Sequence, residues 1–298
     1  MKETVSIRGM AKVNLGLDVL RRREDGYHDV KMIMQTVNLY DVLTFKKTKS
    51  PGIQISCDGA DLPTDKHNLI YKAASCFYRT FPEEGGISVT LKKQIPVAAG
   101  MAGGSTDAAV TFIAMNEIYG TGLRKDELAR MAVKVGADVP FCIYGGTCLS
   151  EGIGEILTPV KNNLRCNVLI AKPDISVSTK YVYDNLHVDR IQKHPDIDGM
   201  TAALEQGDLK KMAGKMENIL EHVTARSYPE IEELKQCMIQ MGALNAIMSG
   251  SGPTVFGIFE NKSLAETALE EIRRKKFVEQ SCITTFTDKT GVPEQEVL

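Results

Sequence analysis

The chain has 298 residues, 43% of them apolar and 25% charged, with a formal net charge of −2. That length and apolar content suit one large or two medium domains with a real core. The near-balanced charge lacks the basic footprint of a nucleic-acid binder, and no apolar run reaches the ~20 residues of a membrane-spanning helix. The expected partner is therefore a small molecule, with no nucleic acid and no membrane. Seven scattered cysteines, none in a Cys-x-x-Cys pair, and five scattered histidines give no metal pattern. The opening "MKETVSIRGM" lacks the apolar core of a signal peptide. A reducing, cytoplasmic setting is expected.

Apolar residues alternate from Val5 to Val19, which predicts a strand with Lys12, Asn14 and Asp18 on its other face. Asp25-Gly26 signals a hairpin turn, and Val30–Leu39 reads as the return strand. "ISVTL" (87–91) alternates strictly and predicts another strand. After it comes "IPVAAGMAGGSTDAAV" (95–110), then Ala108, Phe112, Met115 and Tyr119 at helical spacing. Ser105 or Thr106 is the expected cap of that helix. A second helix is expected over Lys125–Val135, and "ADVPFCIYGGT" as a turn back into a short apolar segment. Polar composition near 155–163 marks a boundary, predicting domains at 1–158 and 159–298.

The second half opens with the strand "CNVLIA", then a helix starting at "STKYVYDNL". "GDLKKMAGKMENILEHV" reads as helical, with Asn218 and Glu221 as helix-surface packing. Pro229 predicts a helix start. "LNAIM" and "TVFGIF" predict strands around "SGSGP". Ser263 and Glu266 form a capping box for the last helix, "SCITTF" a closing strand, and the polar tail after Thr287 is expected to fray. The order predicts an α+β fold of the split βαβ kind.

A glycine-rich strand–helix turn can bring backbone amides and the positive end of a helix dipole against a phosphate. It can equally serve close packing. Neither G-x-x-x-x-G-K-[ST] nor G-x-G-x-x-G occurs. Lys12, Asn14, Asp138 in "GADVPF" and the second loop "MSGSGPTVF" favour phosphoryl transfer to an alcohol: an Asp to accept a proton, a Lys to stabilise alkoxide character. Taken singly, Asp138 reads as a turn cap, Lys12 as a solvated face, Tyr27 and His28 as hairpin decoration, and Tyr181 and Tyr183 as packing.

Together, "PVAAGMAGGSTDAA", "GSGPTVFGIF", "AKVNLGLDVLRRREDGYHDV" and "GADVPFCIYGGTCLSEGIGE" resemble the GHMP kinases. The resemblance covers most of the chain in order. It implies a two-domain GHMP-kinase-like fold with a ferredoxin-like C-terminal half and the active site in the interdomain cleft. It also implies ATP with Mg²⁺ as cofactors, metal ligands unknown, and a monomer or homodimer. The combination of Ala-Lys-x-Asn-Leu, Asp-Gly-Tyr-His and Gly-Ala-Asp-Val-Pro-Phe resembles one branch of that family, and this resemblance implies phosphorylation of the 2-hydroxyl of a cytidine diphosphate-linked methylerythritol.

By the same resemblance Asp138 is the general base and Lys12 its electrostatic partner. Pro96, Val97, Ala98, Ala99, Gly100, Met101, Ala102, Gly103, Gly104, Ser105 and Thr106 form the ATP phosphate loop, with Asn68 and Lys93 on the nucleoside side. Asn14, Tyr27, His28 and Tyr183 hold the substrate, Tyr181 being the competing alignment for Tyr183. The family's Gly-Leu-Gly-Gly-Gly-Ser-Ser-Asp reads here Gly-Met-Ala-Gly-Gly-Ser-Thr-Asp, and Ala102 asks for negative φ where glycine would be free. Rival readings are a homoserine or mevalonate kinase and a non-catalytic nucleotide-binding protein; a dehydrogenase lacks its fingerprint.

Overall fold

In the computed structural model, which describes residues 2–293, the first hairpin is longer than predicted. Strand β1 (Thr4–Arg22) pairs antiparallel with β2 (His28–Thr48), from Thr4↔Lys46 to Arg22↔His28. The return strand passes Leu39 because Leu43 and Phe45, both fully buried, continue the alternation. Register shifts in β1, the first between Met10 and Lys12, mark bulges that re-aim its side chains.

Strand β3 (Gly52–Asp58), helix α1 (Leu69–Thr80) and strand β4 (Gly86–Lys92) form a parallel crossover unit. Helices α2 (Gly103–Tyr119), α3 (Lys125–Ala132) and α4 (Val139–Tyr144) follow, then β5 (Thr147–Gly152) on β2 and β6 (Ile156–Pro159) on β5. The second half runs β7 (Asn167–Pro173), α5 (Thr179–Asp184), α6 (Ile197–Gln206), α7 (Leu209–Gly214), α8 (Glu221–Ser227), α9 (Pro229–Gln240), β8 (Asn245–Met248), β9 (Val255–Phe259), α10 (Lys262–Arg273) and β10 (Val278–Thr285). Its antiparallel sheet has the order β10-β7-β9-β8 with α9 and α10 as crossovers, the expected ferredoxin-like split βαβ. A last strand, β11 (Val292–Pro293), returns to β1.

Several local expectations are corrected. "ADVPFCIYGGT" contains α4, started by Pro140 in its first turn. Helix α3 stops at Ala132, short of Val135. Helix α2 is capped by Ala102 rather than Ser105 or Thr106, and α10 by Asn261, whose Oδ1 accepts from the Ser263 amide. "GDLKKMAGKMENILEHV" breaks into α7 and α8 because residue 218 bridges to Leu17. The polar tail is ordered as far as Pro293, where β11 pairs; residues 294–298 lie outside the described residues.

Two apolar clusters fill the molecule. In one, Ala11, Val13 and Leu15 of β1 pack with Val168, Ile170 and Ile258 of the second sheet. The other joins β1, β4 and α2 to Leu169, Met248 and Phe259. Because side chains alternate along a strand, Lys12 and Asn14 face the opposite way from this packing, into a cleft.

Candidate active site

One cavity of about 1090 Å³ is lined by residues from both halves of the chain, including Lys12, Asn14, Tyr27, His28, Asp138, Tyr183 and the loop before α2. The loop is pinned at its start. The buried Asp41 carboxylate accepts from the Gln94 amide at 2.6 Å and the Ile95 amide at 2.8 Å. Further on, the Gly100 carbonyl accepts from Ser249 Oγ at 3.0 Å and Lys12 Nζ at 3.2 Å. A Cβ at Gly100 would lie 2.0 Å from the Ser249 carbonyl oxygen, so only glycine fits.

Ala98 and Ala102 both have left-handed backbone, φ 49° and 57°. The expectation of ordinary negative φ at Ala102 is overturned: the loop keeps the glycine-type geometry despite the Cβ. An L-residue there costs roughly 1–2 kcal/mol. Ala102 offers no side-chain cap, so the first-turn amides of α2 are free to meet a ligand. Gly103, Gly104 and Ser105 line the cavity at that point. A helix start of this kind is an anion seat. Met101 and Thr106 turn away from it. Met101 is buried in the core, and Thr106 Oγ1 donates to the Met10 carbonyl at 2.8 Å.

Lys12 is buried rather than solvated. Its ammonium donates to Asn14 Oδ1 at 2.6 Å and lies 3.7 Å from Asp138 Oδ2. Asp138 occupies the N-cap position of α4 without making a side-chain cap bond, and its side chain is 31% exposed. It therefore holds an accessible carboxylate beside a fixed cation, more than the turn cap it resembles in isolation.

Lys93 and Asn68 both line the cavity near the glycine loop. The Lys93 ammonium is committed to two carboxylates, Asp41 at 2.5 Å and Asp107 at 3.0 Å. Burial works against its charge, but Asp107 and Asp41 outweigh it and raise its pKa. Burial pushes the Asp107 carboxyl up to about 8, Lys93 opposing and Asp41 adding to the rise. Asp107 Oδ1 has no hydrogen-bond partner. Asn68 caps α1, accepting from the Ile70 amide and donating to the Pro63 carbonyl.

At the hairpin end, Tyr27 is 60% exposed and His28 is buried, and both line the cavity. The His28 and Tyr183 rings lie 5.2 Å apart at 37°. Burial, then the Arg22 charge, lowers the His28 pKa and favours neutral imidazole. Burial raises that of the Tyr183 phenol. Tyr183 lines the cavity whereas Tyr181, 50% exposed, does not, so the two alignments are separated by position.

Three supporting residues escaped the sequence reading. Asp41 is a fully buried acid in an apolar alternation, which is itself a signal. Asp107 follows the loop directly. Asn218, expected on a helix surface, is buried and donates to the Met248 and Gly250 carbonyls, holding the second glycine loop.

Residues 68–146 match the model of the GHMP kinases N terminal domain, and residues 200–279 that of the GHMP kinases C terminal domain. A protein named 4-diphosphocytidyl-2-C-methyl-D-erythritol kinase, from Lachnoclostridium phytofermentans, is 48% identical over 97% of this chain and all of its own. Another of that name, from Caldicellulosiruptor bescii, is 44% identical over 96% of this chain and all of its own. A crystal structure of 4-(cytidine 5'-diphospho)-2C-methyl-D-erythritol kinase superposes with TM-score 0.80 at 31% identity, covering 94% of this chain and 98% of that one. A homoserine kinase from Cytophaga hutchinsonii, at 21% identity and TM-score 0.77 over 96% and 95% of the two chains, shares the fold.

Proposed function

The chain belongs to the GHMP kinases, and from that membership we propose that it is the ATP-dependent kinase of 4-diphosphocytidyl-2-C-methyl-D-erythritol, phosphorylating the 2-hydroxyl in the non-mevalonate route to isoprenoid precursors. The observation that carries this reading is the Lys12–Asp138 pair, 3.7 Å apart in a cavity that also holds the glycine loop and the His28–Tyr183 pair. We take residues 1–158 and 159–298 as its two domains and the cytoplasm as its compartment; all seven cysteines are free thiols.

The ATP phosphates rest on the first-turn amides of α2 and the backbone of Pro96–Ser105. Met101 and Thr106 support that loop from behind. Asn68 and Lys93 border the nucleoside side, Lys93 through its grip on Asp41 and Asp107 rather than through a free ammonium. Cytosine lies among Tyr27, His28 and Tyr183, where neutral rings suit a neutral base. Asn14 orients Lys12 and borders the polyol. Asp138 accepts the hydroxyl proton as the oxygen attacks the γ-phosphorus and the bond from that phosphorus to the β,γ-bridging oxygen breaks, releasing ADP, while Lys12 stabilises the charge that develops.

Oxygen donors suit Mg²⁺. Asp107, with one unpartnered carboxylate oxygen, and the Ser105 hydroxyl both line the loop's cavity, so the residues present fit the ion. Asp107 and Ser105 would hold it, and it would neutralise phosphate charge when bound.

A coupled ADP-release assay tests the proposal by comparing the cytidine-linked substrate with homoserine, mevalonate and galactose. Turnover confined to the first is expected. Turnover on another alcohol would sink the substrate assignment and keep the phosphoryl chemistry. Asp138→Asn should lower kcat by ~10²–10⁴, and near-normal turnover in that variant would remove Asp138 from the mechanism.

A further inference from the structure

The segment after β10 touches four elements that border the site: β1, β2, α2 and α4. The Thr287 amide donates to the Thr36 carbonyl of β2 at 3.0 Å. β11 pairs with β1 at Ile7↔Pro293 and Arg8↔Val292, shortly before Lys12 on the same strand. A Cβ at Gly291 would lie 2.8 Å from Ile113 of α2, the helix that the phosphate loop starts. Thr290 Oγ1 donates to the Cys142 carbonyl in α4 at 2.7 Å.

That last bond bears on the base. Helix α4 is six residues long, and its final carbonyls have no partner within the helix. Residue 142 takes the Thr290 hydroxyl on its carbonyl and gives its own amide to the Asp138 carbonyl at 3.2 Å. Gly145, which ends α4 with φ 70°, brings the chain so close that a Cβ there would lie 2.9 Å from Thr290 Cβ. A short helix with an uncapped Asp138 at its start is thus held from its far end.

We propose that Thr290 is a positioning residue for the phosphoryl transfer, fixing α4 so that the Asp138 carboxylate stays in register with Lys12. The proposal rests on the kinase reading above. Thr290 touches neither substrate; it acts through the backbone of residue 142.

Steady-state kinetics with ATP, Mg²⁺ and the cytidine-linked substrate test it on the full chain. Thr290→Val keeps the side-chain shape and loses the donor. It should lower kcat about tenfold, since small misplacements of a reacting group are costly, and leave both KM values unchanged. Thr290→Ser should restore kcat. A contact that only stabilises the fold would lower the melting temperature and the fraction of nucleotide-binding sites, with kcat per site intact; that outcome overturns the proposal. So does a loss in Thr290→Ser equal to that in Thr290→Val. If Thr290→Val does not fold, Thr290→Ala serves as the donor-less variant. An inactive wild type would overturn the kinase reading instead, so the two failures are distinguishable.

Discussion

His28, on the first hairpin, and Tyr183, on α5 in the second half of the chain, face each other with ring centroids 5.2 Å apart. Neither element forms this pocket alone. Base–aromatic stacking contributes about 1–3 kcal/mol per base. Tyr183→Ala should therefore raise KM for the cytidine-linked substrate roughly ten- to a hundredfold, with KM for ATP unchanged. Tyr181→Ala should leave both unchanged. Initial-rate kinetics with each substrate varied separately checks this; equal effects of the two alanines would dissolve the pocket assignment.

Lys12→Met keeps the aliphatic stem and removes the ammonium that touches Asn14, Gly100 and Asp138. The loss of a preorganised donor at the reacting centre should cost about 10²–10³ in kcat. Single-turnover rates at saturating ATP are the measurement. A kcat within the error of wild type would show that Lys12 only packs.

Ala102 sits at φ 57° as the cap of α2. Ala102→Gly removes a strain of about 1–2 kcal/mol and adds an unfolded-state entropy cost of roughly 0.5–1 kcal/mol. A small net gain in stability is expected by denaturant unfolding. Ala102→Val should go the other way, because a β-branched side chain fits left-handed backbone poorly. Destabilisation by glycine would contradict the geometry of the loop.

Burial holds the Asp107 carboxyl at about 8 in the folded protein, against 3.8 for a free Asp side chain. Between those values the native state binds more protons than the unfolded state, so stability falls as pH rises. The contribution is complete below the unfolded value and is lost as pH rises through about 8. Unfolding free energy measured from pH 5 to 9 should show this decline, and Asp107→Asn, which does not titrate, should flatten it. An unchanged slope in the variant would place the titration elsewhere.

Asn218 donates two hydrogen bonds across to the second glycine loop. Asn218→Ala leaves the Met248 and Gly250 carbonyls without that donor in a buried site. Unsatisfied buried groups cost about 1–3 kcal/mol each, so a loss of several kcal/mol in unfolding free energy is expected. A loss within experimental error would mean that water replaces the amide.

Much of the site is legible from residue types. Lys12 and Asn14 stand two apart on a strand, so one inward turn brings both into the cleft. The glycine loop between strand and helix has the composition its backbone needs. What stayed hidden depends on partners distant in sequence. The role of Asp41 depends on the Gln94 and Ile95 amides, which close on its carboxylate from far along the chain. Asn218 lies in a helical pattern that its own long-range bonds interrupt. Lys93 is expected on the nucleoside side, and spacing does not show the carboxylates that occupy it, which come from β2 and α2. The choice between Tyr181 and Tyr183 needs the side a short helix presents, which spacing over six residues does not define.

The two sheets share their apolar interior: residues of β1 pack directly among residues of β7 and β9. Cutting the chain between the halves would expose that surface on both pieces, so neither is an autonomous folding unit. Heating should then give a single cooperative transition, with the catalytic cleft and the scaffold lost together rather than in sequence.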